Sequence, residues 1–220
     1  MEKKKSTKSR VTSRTQRKKL PASGDEPAGK TVYQFKITLR GIKPAIWRRI
    51  QVENCTLERL HEHIQMAMGW TNSHLHQFEI AGRYCGDPDL LEDLFEELDF
   101  LDSTQTLISQ ILPPTKKKFA FKYEYDFGDG WEHEILYEGS VLAEAANKYP
   151  VCLAGERACP PEDVGGIWGY QNFLAARADP KHEEHEEMMD WYGQEYSPEI
   201  FDAATATQRM NQSYPEWRIM

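Results

Sequence analysis

The stretch YDFGDGWEH (125–133) sets two aspartates, Asp126 and Asp129, around a glycine turn and places His133 two residues beyond Trp131 on the return. Carboxylates and an imidazole converging at one end of a hairpin are the groups that hold a divalent cation or move a proton. A plainer use is available, because aspartates in such turns accept backbone N–H bonds and need no ligand. Further along, GERACPPEDVGGIWGY (155–170) offers a second carboxylate pair, Glu162 and Asp163, between two prolines and a Gly-Gly corner, with Trp168 and Tyr170 leading into a helix. Neither the helical nor the strand period fits this run, so it reads as a shaped loop. Carboxylates just before a helix also suit its positive N-terminal end.

Two accounts of the loop follow. In the structural one, Arg48 shares a strand face with aliphatic residues and needs an anionic partner, which Asp163 or Glu162 supplies through a charge-assisted bond that clamps the helical layer over the sheet. In the functional one, Glu162 and Asp163 face a cleft with His133, where paired acid and base groups activate water; with Asp126 and Asp129 this describes a metal-dependent hydrolase. Trp131, Trp168 and Tyr170 are candidates for an aromatic contact surface.

The seven histidines are His61, His63, His74, His76, His133, His182 and His185. His74 and His76 are two apart on an expected strand and so share a face; with His133 and Asp163 they are candidate metal ligands. A divalent metal is therefore an option, with no cofactor established. HEEHEE (182–187) lacks the H-E-x-x-H spacing of zincins and reads as the acidic exterior of an amphipathic helix. No nucleotide-binding glycine loop and no serine or cysteine nucleophile elbow is present, so no catalytic residue is assigned.

The elements that must position these groups follow from periodicity. TVYQFKITLR (31–40) alternates as a strand, Gly41 to Pro44 makes a turn, and AIWRRIQV (45–52) pairs back with Ile46, Arg48, Ile50 and Val52 on one face. Thr56 N-caps a helix to Trp70 carrying Leu57, Leu60, Ile64 and Met68 as its stripe, with a left-handed cap expected near Gly69. HLHQFEI (74–80) is a third strand. GDPDLLEDLFEELDFLD (86–102) carries eight carboxylates and reads as an acidic loop with a helical turn, while 104–112 is a short helix stopped by Pro113 and Pro114. In the hairpin, Phe119, Phe121, Tyr123 and Tyr125 face the same side as Trp131, His133, Ile135 and Tyr137. Helices over 169–179, 182–193 and 198–212 complete an α+β fold: a largely antiparallel sheet with helices packed on one side.

At 220 residues and 40% hydrophobic the chain can bury a core in one domain, expected over 31–212 with a short C-terminal tail, 213–220. Residues 1–20 hold nine Lys or Arg against Glu2 alone, a net of +8, so the rest carries −16 of an overall −8. A disordered basic arm and linker (1–30) thus precedes an acidic body. It is either a solubilising tail or a segment that gains affinity for DNA phosphates by releasing counterions, and a protein partner is the other option. No apolar run is long enough for a membrane span and no secretory signal opens the chain; with four cysteines read as thiols, the setting expected is cytoplasmic, without a membrane partner.

Taken together, IKPAIWRRI, TLERLHEHIQMAMGW, HLHQFEI, YEYDFGDGWEHEI, YPVCLAGERACPPEDVGGIWGYQNFLA and the HEEH to DWYG stretch resemble the plasmid pRiA4b ORF-3-like family, some members of which bear the name TnpR as passenger proteins of IS1096-type mobile elements. The similarity spans about 31 to 204. It implies a fold and an association with plasmids or mobile DNA, and no activity or substrate; a resolvase would need a serine or tyrosine nucleophile in a setting absent here. Val164 stands where relatives often carry cysteine, which lowers the expectation of a thiolate metal site on Cys159.

Overall fold

The aromatic hairpin lies at the middle of the sheet. In this computed structural model, which describes residues 30–86, 100–113, 118–193 and 195–212, it is formed by β6 (Phe119–Tyr125) and β7 (Trp131–Leu142). Their register pairs Phe121 with Ile135, Tyr123 with His133 and Tyr125 with Trp131, so all six side chains fall on one face. β1 (Thr31–Leu39) joins β7, β2 (Trp47–Val52) follows it, and β8 (Val151–Glu156) closes that edge. On the other side, β3 (His76–Ile80), β4 (Arg83–Gly86) and β5 (Phe100–Asp102) complete an eight-stranded order β5-β4-β3-β6-β7-β1-β2-β8. Among the described residues every pairing in the sheet is antiparallel except β4 with β5.

The two faces differ in chemistry. Ile46, Arg48, Ile50 and Val52 are buried together on the covered face, as alternation requires. The opposite face carries a polar ladder: Arg49 bridges Glu138 at 2.7 Å, Gln34 and Gln51 extend the chain of bonds, and Lys122 pairs with Glu79 at 2.8 Å. The helices therefore pack on one side, giving the α+β architecture expected.

α1 (Leu57–Met68) is capped by Thr56, whose hydroxyl accepts from the Arg59 N–H, and ends at Gly69 with φ +106°. α2 (Ile108–Ile111) is a single turn. Three helices follow: α3 (Gly166–Ala178), α4 (His185–Tyr192) and α5 (Ala203–Met210), the last lying against both α1 and β8. No helix among the described residues is long and apolar enough to cross a membrane.

Three strands arise where none was expected. β4 and β5 flank the acidic segment, of which 87–99 lie outside the described residues, and β8 uses VCLAGE ahead of the proline-rich loop. β3 begins at His76 instead of His74. His74 stays in the loop after α1, past Asn72 at φ +57°, so the two histidines do not share a strand face. Of the basic arm and linker (1–30), residues 1–29 lie outside the described residues, as does the tail (213–220).

Candidate functional site

Three loops meet at the end of the hairpin: the segment after α1 (70–75), the β6–β7 turn (126–130) and the stretch between β8 and α3 (157–165). Glu162 ties them together. Its Oε1 accepts from the Thr71 N–H at 2.6 Å and the Thr71 hydroxyl at 3.0 Å, and the Tyr125 hydroxyl donates to both carboxylate oxygens at 3.2 Å. Burial and the Glu162 charge together push the Tyr125 phenol above its ordinary range. The Trp70 indole N–H donates to the Pro160 carbonyl at 3.0 Å, and Gly165 N–H to Asp129 Oδ2 at 3.1 Å.

Glycine is required at this joint. Gly166 has φ +66°, and a Cβ there would strike the Asp129 carbonyl, while one at Gly169 would strike the carbonyl of Val164. Backbone thus packs on backbone where α3 begins. Asp129 and Glu162 act as fasteners of the loop.

Asp126 and Asp163 come together with His74. Asp126 Oδ1 accepts from the Gly128 and Asp129 N–H groups at 3.0 and 3.3 Å, and its Oδ2 is 3.7 Å from His74 Nε2. His74 Nε2 lies 3.0 Å from Asp163 Oδ1, although without the geometry of a hydrogen bond. Asp126 and Asp163 both adopt φ +56°, a conformation Asp tolerates better than most residues.

The cleft drawn around His133 is not formed. His133 is fully buried beneath the Trp70 ring, 5.4 Å away edge-to-face, because the inward face it shares with Tyr123 and Trp131 is covered by α1. Burial, with the nearby Arg48 charge adding to it, pulls its pKa down to about 3; the Trp131 and Tyr123 carbonyls offset this in part. His61 and His63, on α1, are likewise pulled down by burial to about 3. His76 is buried as well, its ring stacked on His61 at 3.5 Å and its Nε2 3.5 Å from Glu58, so a joint site with His74 is replaced by an interior cluster.

The aromatic surface is also smaller than expected. Trp131 is 1% exposed, and Tyr170 is buried with its hydroxyl 2.8 Å from that of Tyr196, which donates to the Cys159 carbonyl. Trp168 stands out at 82% exposure.

Arg48 finds no carboxylate among the described residues. Its Nε donates to the Ala67 carbonyl at 3.0 Å, its Nη1 to those of Trp47 and Glu156 at 2.8 and 3.0 Å, and its plane stacks on Phe201 at 3.9 Å. Asp163 is 66% exposed and turned toward His74, so the anticipated Arg48–Asp163 pair does not exist. The carbonyls win because Arg48 sits between the end of α1 and β8, where backbone acceptors are nearest. A Cβ at Gly155 would collide with Phe201, which makes room for this stack.

Arg48 forms part of the wall of a cavity of about 830 Å³ between the end of α1, the Pro160–Glu162 loop and the late helices. Trp70, Trp191, Tyr196 and Phe201 give it aromatic walls, and Arg209 adds a second guanidinium whose Nε donates to the Met66 carbonyl at 3.1 Å. Burial, with the Arg209 charge adding to it, lowers the Arg48 pKa. These cavity residues, scattered from 48 to 209, were not anticipated as a group; the one local signal was a charge on an apolar strand face.

The eight-stranded sheet with one helical layer and a three-loop joint defines an α+β domain of recognisable pattern. The chain belongs to the family described as Plasmid pRiA4b ORF-3-like protein, which it matches over residues 31–205. It is 43% identical over 166 residues to the uncharacterized protein y4hQ of Sinorhizobium fredii, covering 74% of this chain and 81% of that one. It is also similar to the crystal structure of MM3350 from Methanosarcina mazei Go1, a protein of unknown function, with a TM-score of 0.69, 36% identity, and coverage of 80% of this chain and 97% of the other.

Proposed function

We propose that the protein is a non-enzymatic binding module that takes a small anion-headed ligand, a carboxylate or phosphate with an apolar or aromatic body, in the cavity beside Arg48. The observation that carries this reading is a guanidinium 1% exposed, bonded among the described residues only to neutral carbonyls, with a second arginine on the same wall. Carbonyls satisfy the N–H groups of Nε and Nη1 but leave the charge uncompensated, and buried charges are ordinarily paired. Nη2 donates to no acceptor among the described residues, which leaves a donor for a ligand. The aromatic walls suit the body of such a molecule.

Melting of the full chain with benzoate, phenyl phosphate and inorganic phosphate, against sodium chloride at equal ionic strength, tests this. A ligand at a hundred times its Kd adds about 2.7 kcal/mol to stability. At least one aromatic anion raises Tm, and Arg209→Gln abolishes the rise. Equal Tm in every anion, or a rise that survives Arg209→Gln, overturns the reading.

The proposed setting is cytoplasmic, in keeping with cysteines that are free thiols among the described residues. Support for a role beside plasmids or mobile DNA comes from the family description and from the +8 charge of residues 1–20. Salt-dependent DNA binding that disappears when those residues are removed would assign the arm. A metal-dependent hydrolase is the second reading, favoured by the approach of His74 to Asp126 and Asp163.

A further inference from the structure

We propose that His74, Asp126 and Asp163 bind one first-row divalent cation, independently of whether the cavity takes an anion and of any hydrolysis. One ligand atom from each residue lies within 4.8 Å of the others. Tetrahedral ligands 2.0–2.2 Å from zinc stand about 3.4 Å apart, and His74 Nε2 lies 3.0 Å from Asp163 Oδ1 and 3.7 Å from Asp126 Oδ2, so each of these two separations needs to change by only a few tenths of an ångström. Asp163, being exposed, supplies that adjustment.

Two atoms point to a missing partner. The Asp126 side chain is only 10% exposed, and while Oδ1 is committed to two turn N–H groups, Oδ2 accepts no hydrogen bond among the described residues and is directed at His74. His74 Nε2 is buried without a hydrogen bond. An imidazole nitrogen withheld from water, facing the uncommitted oxygen of a mostly buried carboxylate, is compensated by a cation placed between them. The outer side, next to the exposed Asp163 carboxylate, leaves room for water to complete the coordination. One imidazole with two carboxylates suits Zn²⁺ or Mn²⁺.

The buried group Glu58, His61 and His76 also holds an unbonded ring nitrogen, His76 Nε2, but its second imidazole is already committed. His61 has both ring nitrogens engaged, Nδ1 with the Tyr123 hydroxyl at 2.7 Å and Nε2 with Asn72 at 2.6 Å.

Calorimetric titration of the EDTA-treated, desalted full chain with ZnCl₂ and MnCl₂ tests the site, with Co²⁺ visible absorption as a second readout. The expected result is one equivalent bound, with affinity reduced at least about tenfold in Asp126→Asn, His74→Ala and Asp163→Asn. His182→Ala leaves it unchanged. Asp126→Asn keeps an oxygen for the turn N–H groups and Asp163 is exposed, so both variants are expected to fold, which circular dichroism checks. Less than a tenth of an equivalent in the parent, or parental affinity in folded Asp163→Asn and Asp126→Asn, overturns the proposal.

Discussion

Acidification should unfold this protein through its interior, and His133 is the residue on which to measure it. In the unfolded chain a histidine titrates near 6.5, whereas burial holds His133 at about 3 in the folded state. The folded pKa is the lower one, so between about pH 3 and 6.5 the unfolded state binds the extra proton. Stability is accordingly full above about pH 6.5 and falls as pH drops through that window. At pH 5 the loss comes to about 2 kcal/mol for His133 alone, and His61 and His63, held at about 3 by the same cause, bring the sum to about 6 kcal/mol. Total stabilities are typically about 5–15 kcal/mol, so this is a large fraction. Urea unfolding of the full chain at a series of pH values measures the slope, in which each proton contributes about 1.4 kcal/mol per pH unit. His133→Leu removes one titrating group from the window, and its slope between about pH 6 and 5 should fall by about that amount. Identical slopes in parent and His133→Leu, or a parent whose stability does not change between pH 7 and 5, would refute the reasoning.

Gly166→Ala should cost about 2 kcal/mol or more in urea unfolding, because the new methyl group meets the Asp129 carbonyl and φ is +66°. Arg48→Met leaves the carbonyls of Ala67, Trp47 and Glu156 without their donors and should lower stability by about 3 kcal/mol or more in the same assay; a melting curve matching the parent would show that water replaces them. Trp168→Ser, at an 82% exposed position, should change stability by less than about 0.5 kcal/mol, and a larger loss would mean that the ring is covered in solution.

Local order was legible where elements are long and their partners follow closely in the chain. The hairpin could be read because seven residues of β6 and the first seven of β7 alternate without a break, and α1 because Thr56, the leucine stripe and Gly69 agree. β4 and β5 have four and three residues, too few for a period to emerge, and β8 lacks a clean alternation because its register against β2 shifts at a bulge. In the site, parity was legible and depth was not. His133 is on the side its position dictates, yet nothing within nine residues of it tells that Trp70 closes over the ring. Arg48 likewise occupies the apolar face, and its choice of carbonyls over Asp163 depends on where α1 ends. His74 lost its strand to the left-handed turn at Asn72, and this is what lets it reach Asp126.

Glu162 forms part of the cavity wall, and the next residue along the chain belongs to the group with His74 and Asp126. The two compartments are thus divided by a partition a single peptide unit thick, and its inner side is pinned to Thr71 and Tyr125. A shift of that unit cannot be confined to one side. Whatever occupancy of one compartment does to affinity in the other, linkage requires the reverse effect to have the same size, and the shared wall is the route by which it would pass.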